Sequence, residues 1–334
     1  MSALLPDQVT VTAPARLHLG FVDLNPPTGR RFGSLGLALD APHCVVRAFR
    51  GMLEHRDAAA SQVKATQHVA ALRTAYSLSA EVNVEVMEAI PVHCGLGSGT
   101  QLGMAVGTAV SRLTGLDLSA VDIRQKLARG ARSGIGIGAF AQGGFLVDGG
   151  HGATTSLPPI TSRVAFPDHW RVLLIFDETF QGLSGAEEGA AFRTLPSFPE
   201  TLSAHLCRLV MTRILPGLAE ANMSEFGPAV TEVQRLVGDH FAPAQGGRFA
   251  SAAVANALAW LEARGAQCVG QSSWGPTGFA MLESEQQAQQ LARDAATQQQ
   301  GLRFVIARGR NEPAGVQIQA AESAAATILP LTRN

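Results

Sequence analysis

PVHCGLGSGTQL, residues 91–102, is the stretch on which the reading of this chain turns. Gly95, Gly97 and Gly99 let the main chain take positive φ and remove the Cβ atoms that would keep an anion away from backbone N–H groups. Beyond Thr100, residues Leu102, Val106, Ala109, Val110 and Leu113 recur at helical spacing as far as Gly115, a residue suited to ending a helix. A helix that starts on the glycines adds its own unpaired N–H groups and dipole, so an oxyanion is favoured there. Ser98 and Thr100 offer hydroxyls to phosphate or to a magnesium ion. The stretch is neither a P-loop, which needs a lysine after the last glycine, nor a G-x-G-x-x-G dinucleotide fingerprint. A tight strand-to-helix turn without a ligand accounts for the same spacing.

Upstream, the chain reads mostly as strands. Residues 8–13 alternate, the pattern continues from Leu17, and HCVVRAF and VNVEVMEAI repeat the period of two. Between these last two, Val63, Val69, Leu72 and Tyr76 mark a helix lying over a sheet. Downstream, a helix is predicted from Ser119 to about Arg129, and GIGIGAFAQGGFLVDGG returns through glycine-rich turns to a strand at 145–148. The prolines of residues 156–169 suggest a connector, dividing the chain into domains at 1–160 and 161–334. A strand at 170–176 follows, then helical stretches at 199–215, 217–237 and 249–264. QCVGQSSWGPTGFAML reads as strand, glycine turn and strand. A helix opened by a capping box at Ser284 and Gln287 and a last strand, GLRFVIAR, complete the pattern. Strands and helices mix without regular alternation, which predicts an α+β fold.

Composition narrows the partners. The 334 residues are 46% apolar and 16% charged, which suits a globular chain with a sizeable core. With 26 basic and 27 acidic residues the net charge is −1, giving no electrostatic reason to expect nucleic acid or an anionic membrane. Any anion site is built locally. Cys44, Cys94, Cys207 and Cys268 form no C-x-x-C pair and read as buried thiols in a reducing cytoplasm. The first residues lack a secretory signal and no apolar run reaches the ~18 residues of a membrane span, so a cytoplasmic protein is expected.

Two further clusters carry polar side chains. In APARLHLGFVDLNPPTGRRFGSLGLALD, Arg16, His18, Arg30 and Arg31 accompany the carboxylates of Asp23 and Asp40; arginines flanked by glycines suit bidentate bonding to a polyanion. In GQSSWGPTGFA, Ser272, Ser273, Trp274 and Gly275 form a polar turn richer than a hairpin requires. The loop ETFQGLSGAEEGAAF, with Glu187 and Glu188, is a further candidate for the cleft.

In this order, APARLHLG, PVHCGLGSGTQL and GQSSWGPTGFA resemble the three motifs of the GHMP kinase superfamily. The resemblance implies a two-domain α+β fold, with a ribosomal-S5-domain-2-like N-terminal domain, a ferredoxin-like C-terminal domain and the active site between them. Two departures weigh against a kinase. Kinases of the superfamily commonly carry a catalytic Asp after the second motif, whereas residues 132–144, RSGIGIGAFAQGG, contain no carboxylate, and Gly99 replaces a serine that helps to hold magnesium. With GLSGAEE added, the strings are similar to the β-ribofuranosylaminobenzene 5′-phosphate synthase family, a non-kinase branch. That resemblance implies a phosphoribosyltransferase of tetrahydromethanopterin biosynthesis. Its substrates are phosphoribosyl pyrophosphate (PRPP) and 4-aminobenzoate or 4-hydroxybenzoate, its by-products carbon dioxide and pyrophosphate, and its cofactor Mg2+.

Under this reading Gly95, Leu96, Gly97, Ser98, Gly99, Thr100 and Gln101 hold the diphosphate, and Arg30 and Arg31 clamp it. Arg16 and His18 hold the benzoate carboxylate or the 5′-phosphate, while Ser272, Ser273, Trp274 and Gly275 close the cleft. Asp23 is the candidate metal ligand. No nucleic acid or membrane partner is expected, and a homodimer is left open. The competing readings are an ATP-dependent small-molecule kinase and a catalytically silent ligand-binding relative.

Overall fold

The computed structural model describes residues 5–24, 29–51, 59–79, 81–127, 133–180, 182 and 194–319. Its frame is a pair of long antiparallel strands, β1 (Gln8–Asp23) and β2 (Gly33–Arg50), in which Arg16 faces Ala38 and His18 faces Gly36. The two runs read around residues 8 and 17 form one strand because Pro14 sits at a register shift, where its missing N–H costs no ladder bond. The remaining strands of this sheet are β3 (Val82–Glu88), β4 (Phe145–Asp148), β5 (Ile160–Val164) and β10 (Gly315–Gln319). They give the order β10-β1-β2-β4-β5, with β3 also on β2.

Helices α1 (Ala60–Tyr76), α2 (Ser98–Thr114), α3 (Ala120–Leu127) and α4 (Ile135–Gln142) belong to this half. Leu102, Met104, Val106, Val110 and Leu113 of α2 are buried in one core with Val11, Leu17 and Leu37 of the sheet. Helix α4 replaces the glycine-rich turns expected at 134–144. Its glycines permit close approach: a Cβ on Gly136 would lie 3.1 Å from Thr100 Cγ2, and one on Gly138 would lie 2.8 Å from Ile160 Cδ1. Tertiary packing outweighs the poor helix propensity of glycine here.

The second sheet is antiparallel, in the order β7-β8-β6-β9: β6 (Arg171–Asp177), β7 (Cys268–Gln271), β8 (Gly278–Leu282) and β9 (Leu302–Ala307). Between β6 and β7, helix α5 (Glu200–Leu209) passes through a π-turn at Val210–Ile214 into α6 (Leu215–Ala219), followed by α7 (Met223–Gln245) and α8 (Ala252–Glu262). Helix α9 (Glu285–Gln298) precedes β9; Ser284 accepts from Gln287 N as its N-cap, while Gln287 Oε1 accepts from Glu283 N.

Alternation along β6 divides the core. Leu173 and Ile175 pack with Val254, Leu258 and Leu291 under α8 and α9, whereas Val172 and Leu174 join Phe226, Val230 and Val233 of α7 in the cluster that continues into the first sheet. The two halves therefore share one hydrophobic cluster, and β10 returns to pair with β1, Gln319 opposite Gln8. Among the described residues no helix is long and apolar enough to cross a membrane.

Candidate active site

Strand β1 is the hub to which the glycine loop and the third motif both attach. Arg16 N donates to Leu96 O at 3.1 Å and Arg16 Nη1 donates to Gly95 O at 2.5 Å, so the loop lies along the strand. From the other half, Ser273 N donates to His18 O at 3.0 Å, while Ser272 Oγ accepts from His18 N at 3.0 Å and donates to Gly95 O at 2.7 Å. Gly95 has φ +79 and a Cβ there would fall 2.2 Å from Ser272 O, so only glycine admits this junction.

Helix α2 begins as the glycines predict. Gly97, at φ 80 and ψ 17, is its N-cap, no side chain caps it, and its first turn holds no acidic residue. Thr100 N and Gln101 N both donate to Gly97 O at 3.1 Å. Among the described residues the N–H groups of Ser98 and Gly99 have no backbone acceptor, leaving them for an anion.

These amides open on a cavity of about 490 Å³ lined by Arg16, Gly95, Gly97, Ser98, Gly99, Thr100, Ser273, Trp274 and Gly275 of the sequence-predicted set, within the range of small-molecule sites. No carboxylate among the described residues lines it. The wall includes residues the sequence did not single out: Ser61 and Lys64 on α1, and His93. His93 lay within the quoted stretch, but nothing local marked the α1 residues.

Other expected residues lie elsewhere. Leu96 is fully buried, its carbonyl engaged by Arg16. Gln101 is buried too; its Nε2 donates to Gly136 O at 2.7 Å and its Oε1 has no partner among the described residues. Ser272 is an internal tie and not a lining residue. Burial, reinforced by the charge of Arg16, pushes the His18 imidazole down to about 3, so at neutral pH it supplies no cation. It faces a separate cavity of about 30 Å³ beside Phe21, Phe241 and Trp274, room for about one or two waters and not for an aromatic ring. The Trp274 indole packs 4.5 Å from Phe241, centroid to centroid, which covers part of its surface.

Arg30 and Arg31 do not line the large cavity. Arg30 donates from Nε to Gly149 O at 2.7 Å and from Nη2 to Gly150 O at 2.8 Å, and Arg31 bridges to His151. Below them sits a carboxylate that the sequence reading passed over. Asp148 is 1% exposed, and its Oδ2 accepts from Ser34 Oγ (2.5 Å), Ser133 Oγ (2.9 Å) and Gly134 N (3.0 Å). Burial pushes its carboxyl up against those four hydrogen bonds, the fourth from Gly150 N at 2.9 Å. Asp148 is thus committed to structure. Asp23, at the end of β1, is also away from the large cavity, and no group of three or more His, Cys, Asp or Glu able to hold a metal occurs among the described residues. Glu187 and Glu188 lie outside the described residues.

Two family models match the chain: GHMP kinases N terminal domain over residues 62–144 and GHMP kinases C terminal over 214–299. A curated relative from Archaeoglobus fulgidus, a β-ribofuranosylphenol 5′-phosphate synthase, is 32% identical over 327 residues, which span 92% of this chain and 98% of the relative. The chain belongs to the β-ribofuranosylphenol 5′-phosphate synthase family. A second member of this synthase family, from Methanocaldococcus jannaschii, is 29% identical over 68% of the chain and 76% of its own length. The GHMP fold read from the three motifs is the fold observed. Homoserine kinase from Cytophaga hutchinsonii superposes with a TM-score of 0.61 at 16% identity, covering 93% of this chain and 98% of its own. Mevalonate diphosphate decarboxylase from Staphylococcus aureus gives a TM-score of 0.66 at 12% identity with the same coverage. Synthase-family sequence and kinase-like architecture coexist in one chain.

Proposed function

We propose that this protein is a decarboxylating phosphoribosyltransferase that joins PRPP to a para-substituted benzoate, the reaction of tetrahydromethanopterin biosynthesis implied by its motifs. The observation that carries the reading is the cavity itself. Open amides of Ser98 and Gly99 and the guanidinium of Arg16 converge there, with no carboxylate on the lining among the described residues. Such a site stabilises a departing polyanion, and among the described residues its lining holds no carboxylate of the kind that serves as base toward an alcohol.

The steps balance without a side-chain base. The C1–O bond of PRPP breaks and its electron pair leaves with the diphosphate, which the loop amides and Arg16 stabilise. The ring carbon bearing the carboxylate, made electron-rich by the para substituent, forms the new C–C bond to C1 of the ribose. The ring–carboxylate bond then breaks, carbon dioxide leaves, and its electron pair restores the aromatic ring. What the chain contributes is positioning and fixed positive potential. The relatives are named for a ribofuranosylphenol product, which favours 4-hydroxybenzoate over 4-aminobenzoate as acceptor.

The lining suits a magnesium ion carried in on the diphosphate, because its oxygen side chains near the loop are the hydroxyls of Ser98, Thr100 and Ser273. When bound, that ion neutralises charge on the leaving group. The test of the function is turnover: PRPP, magnesium and 4-hydroxybenzoate are expected to yield pyrophosphate and carbon dioxide in equal amounts, and no release with either benzoate would overturn the reading.

A further inference from the structure

We infer that Lys64 and Ser61, one turn apart on α1, form a second anion subsite in the cavity of the glycine loop, and that it receives the 5′-phosphate of the ribosyl donor. The inference rests on the phosphoribosyl reading above. Residues three apart on a helix share a face, and here that face carries a hydroxyl and an ammonium to the cavity wall. Among the described residues Arg16 and Lys64 are the lysine or arginine side chains on the lining. Arg16 is tied to the loop through Gly95 O. Lys64, by contrast, makes no ion pair or hydrogen bond among the described residues and is exposed. One cation is thus tied to the loop, and the other reaches the same cavity from a different element, α1.

Cys44, Ala60, Ala89, Ile90, Val92 and Leu102 supply the apolar part of the lining. A ligand that satisfies the whole lining therefore carries two anionic groups, one for the loop and one for Lys64, on an uncharged body. PRPP has that form, with a diphosphate on C1 and a phosphate on C5 of one ribose. The glycine loop, with its open N–H groups, suits the more highly charged diphosphate, which leaves the monophosphate for Lys64 and Ser61. A purine nucleotide has no second anion to place on Lys64.

The two anion subsites can be probed separately by calorimetry, with inorganic pyrophosphate and ribose 5-phosphate titrated into wild-type protein, Lys64→Ala, Lys64→Arg and Ser61→Ala. The expected result is a tenfold or greater rise in the ribose 5-phosphate Kd for Lys64→Ala, partial recovery in Lys64→Arg, a smaller rise in Ser61→Ala, and pyrophosphate affinity within twofold throughout. Unchanged ribose 5-phosphate affinity in Lys64→Ala, equal losses for both probes, or no binding of ribose 5-phosphate to the wild type would each overturn the assignment. Turnover of PRPP by the wild-type protein is scored independently: its absence counts against the phosphoribosyl reading, whereas turnover with unaltered binding in Lys64→Ala counts against the subsite alone.

Discussion

The hydroxyl of Ser272 donates to the carbonyl of Gly95 at 2.7 Å, across 177 residues of sequence, and accepts the N–H of His18. One buried side chain thereby fixes the glycine loop, the first strand and the third motif relative to one another. Ser272→Ala leaves the His18 N–H without its acceptor. The expected cost is about 1–3 kcal/mol of stability, measured by urea unfolding, together with a fall in kcat/KM as the loop loses its register. Wild-type values for both would show the tie to be dispensable.

Gly95→Ala is the most severe single change expected in the loop. The residue sits at φ +79, and the added methyl would meet Ser272 O at 2.2 Å, a contact that forces the loop off the third motif. Loss of one set of aligned donors is commonly worth about 100-fold or more in rate. Steady-state kinetics with activity near wild type would contradict the described loop geometry.

Much of this loop was legible from residues alone, and the reasons are local. A helix starting on the glycines, the apolar positions from Leu102 to Leu113 and Gly115 as helix stop all lie within one short window. Helix α4 was not legible, because Gly136 and Gly138 signal turns unless Thr100 and Ile160 are known to press against them. Arg30 read as a phosphate clamp because its acceptors, the carbonyls of Gly149 and Gly150, come from a turn more than a hundred residues later. Lys64 and Ser61 escaped notice because their access to the cavity depends on how α1 seats against β3 and α2.

Arg16 and Arg30 are expected to separate cleanly. Arg16→Ala removes the cation on the cavity wall beside the loop and should lower kcat/KM by about 100-fold or more. Arg30 braces a turn outside the cavity, so Arg30→Ala should change kcat/KM by less than about tenfold and act mainly on thermal stability. The reverse ranking in steady-state assays would return the clamp role to Arg30.

Acid should destabilise the protein through His18. Its folded-state pKa of about 3 lies below the ordinary histidine value of 6.5, so between those limits the unfolded chain binds a proton that the native state excludes. Stability from this group is complete above about pH 6.5 and is lost as pH falls toward 3. At pH 5 the loss is about 2 kcal/mol. Denaturant unfolding at pH 7.5 and 5 measures it, and His18→Gln should flatten that difference. An unchanged pH slope in the variant would assign the effect to other groups.

The most direct measurement is a paired assay of the purified protein. One arm contains PRPP, magnesium and 4-hydroxybenzoate, followed for pyrophosphate and carbon dioxide; the other contains ATP, magnesium and candidate alcohols, followed for ADP. Equal release of pyrophosphate and carbon dioxide in the first arm with no ADP in the second is the predicted result. ADP formation with a silent PRPP arm would contradict it.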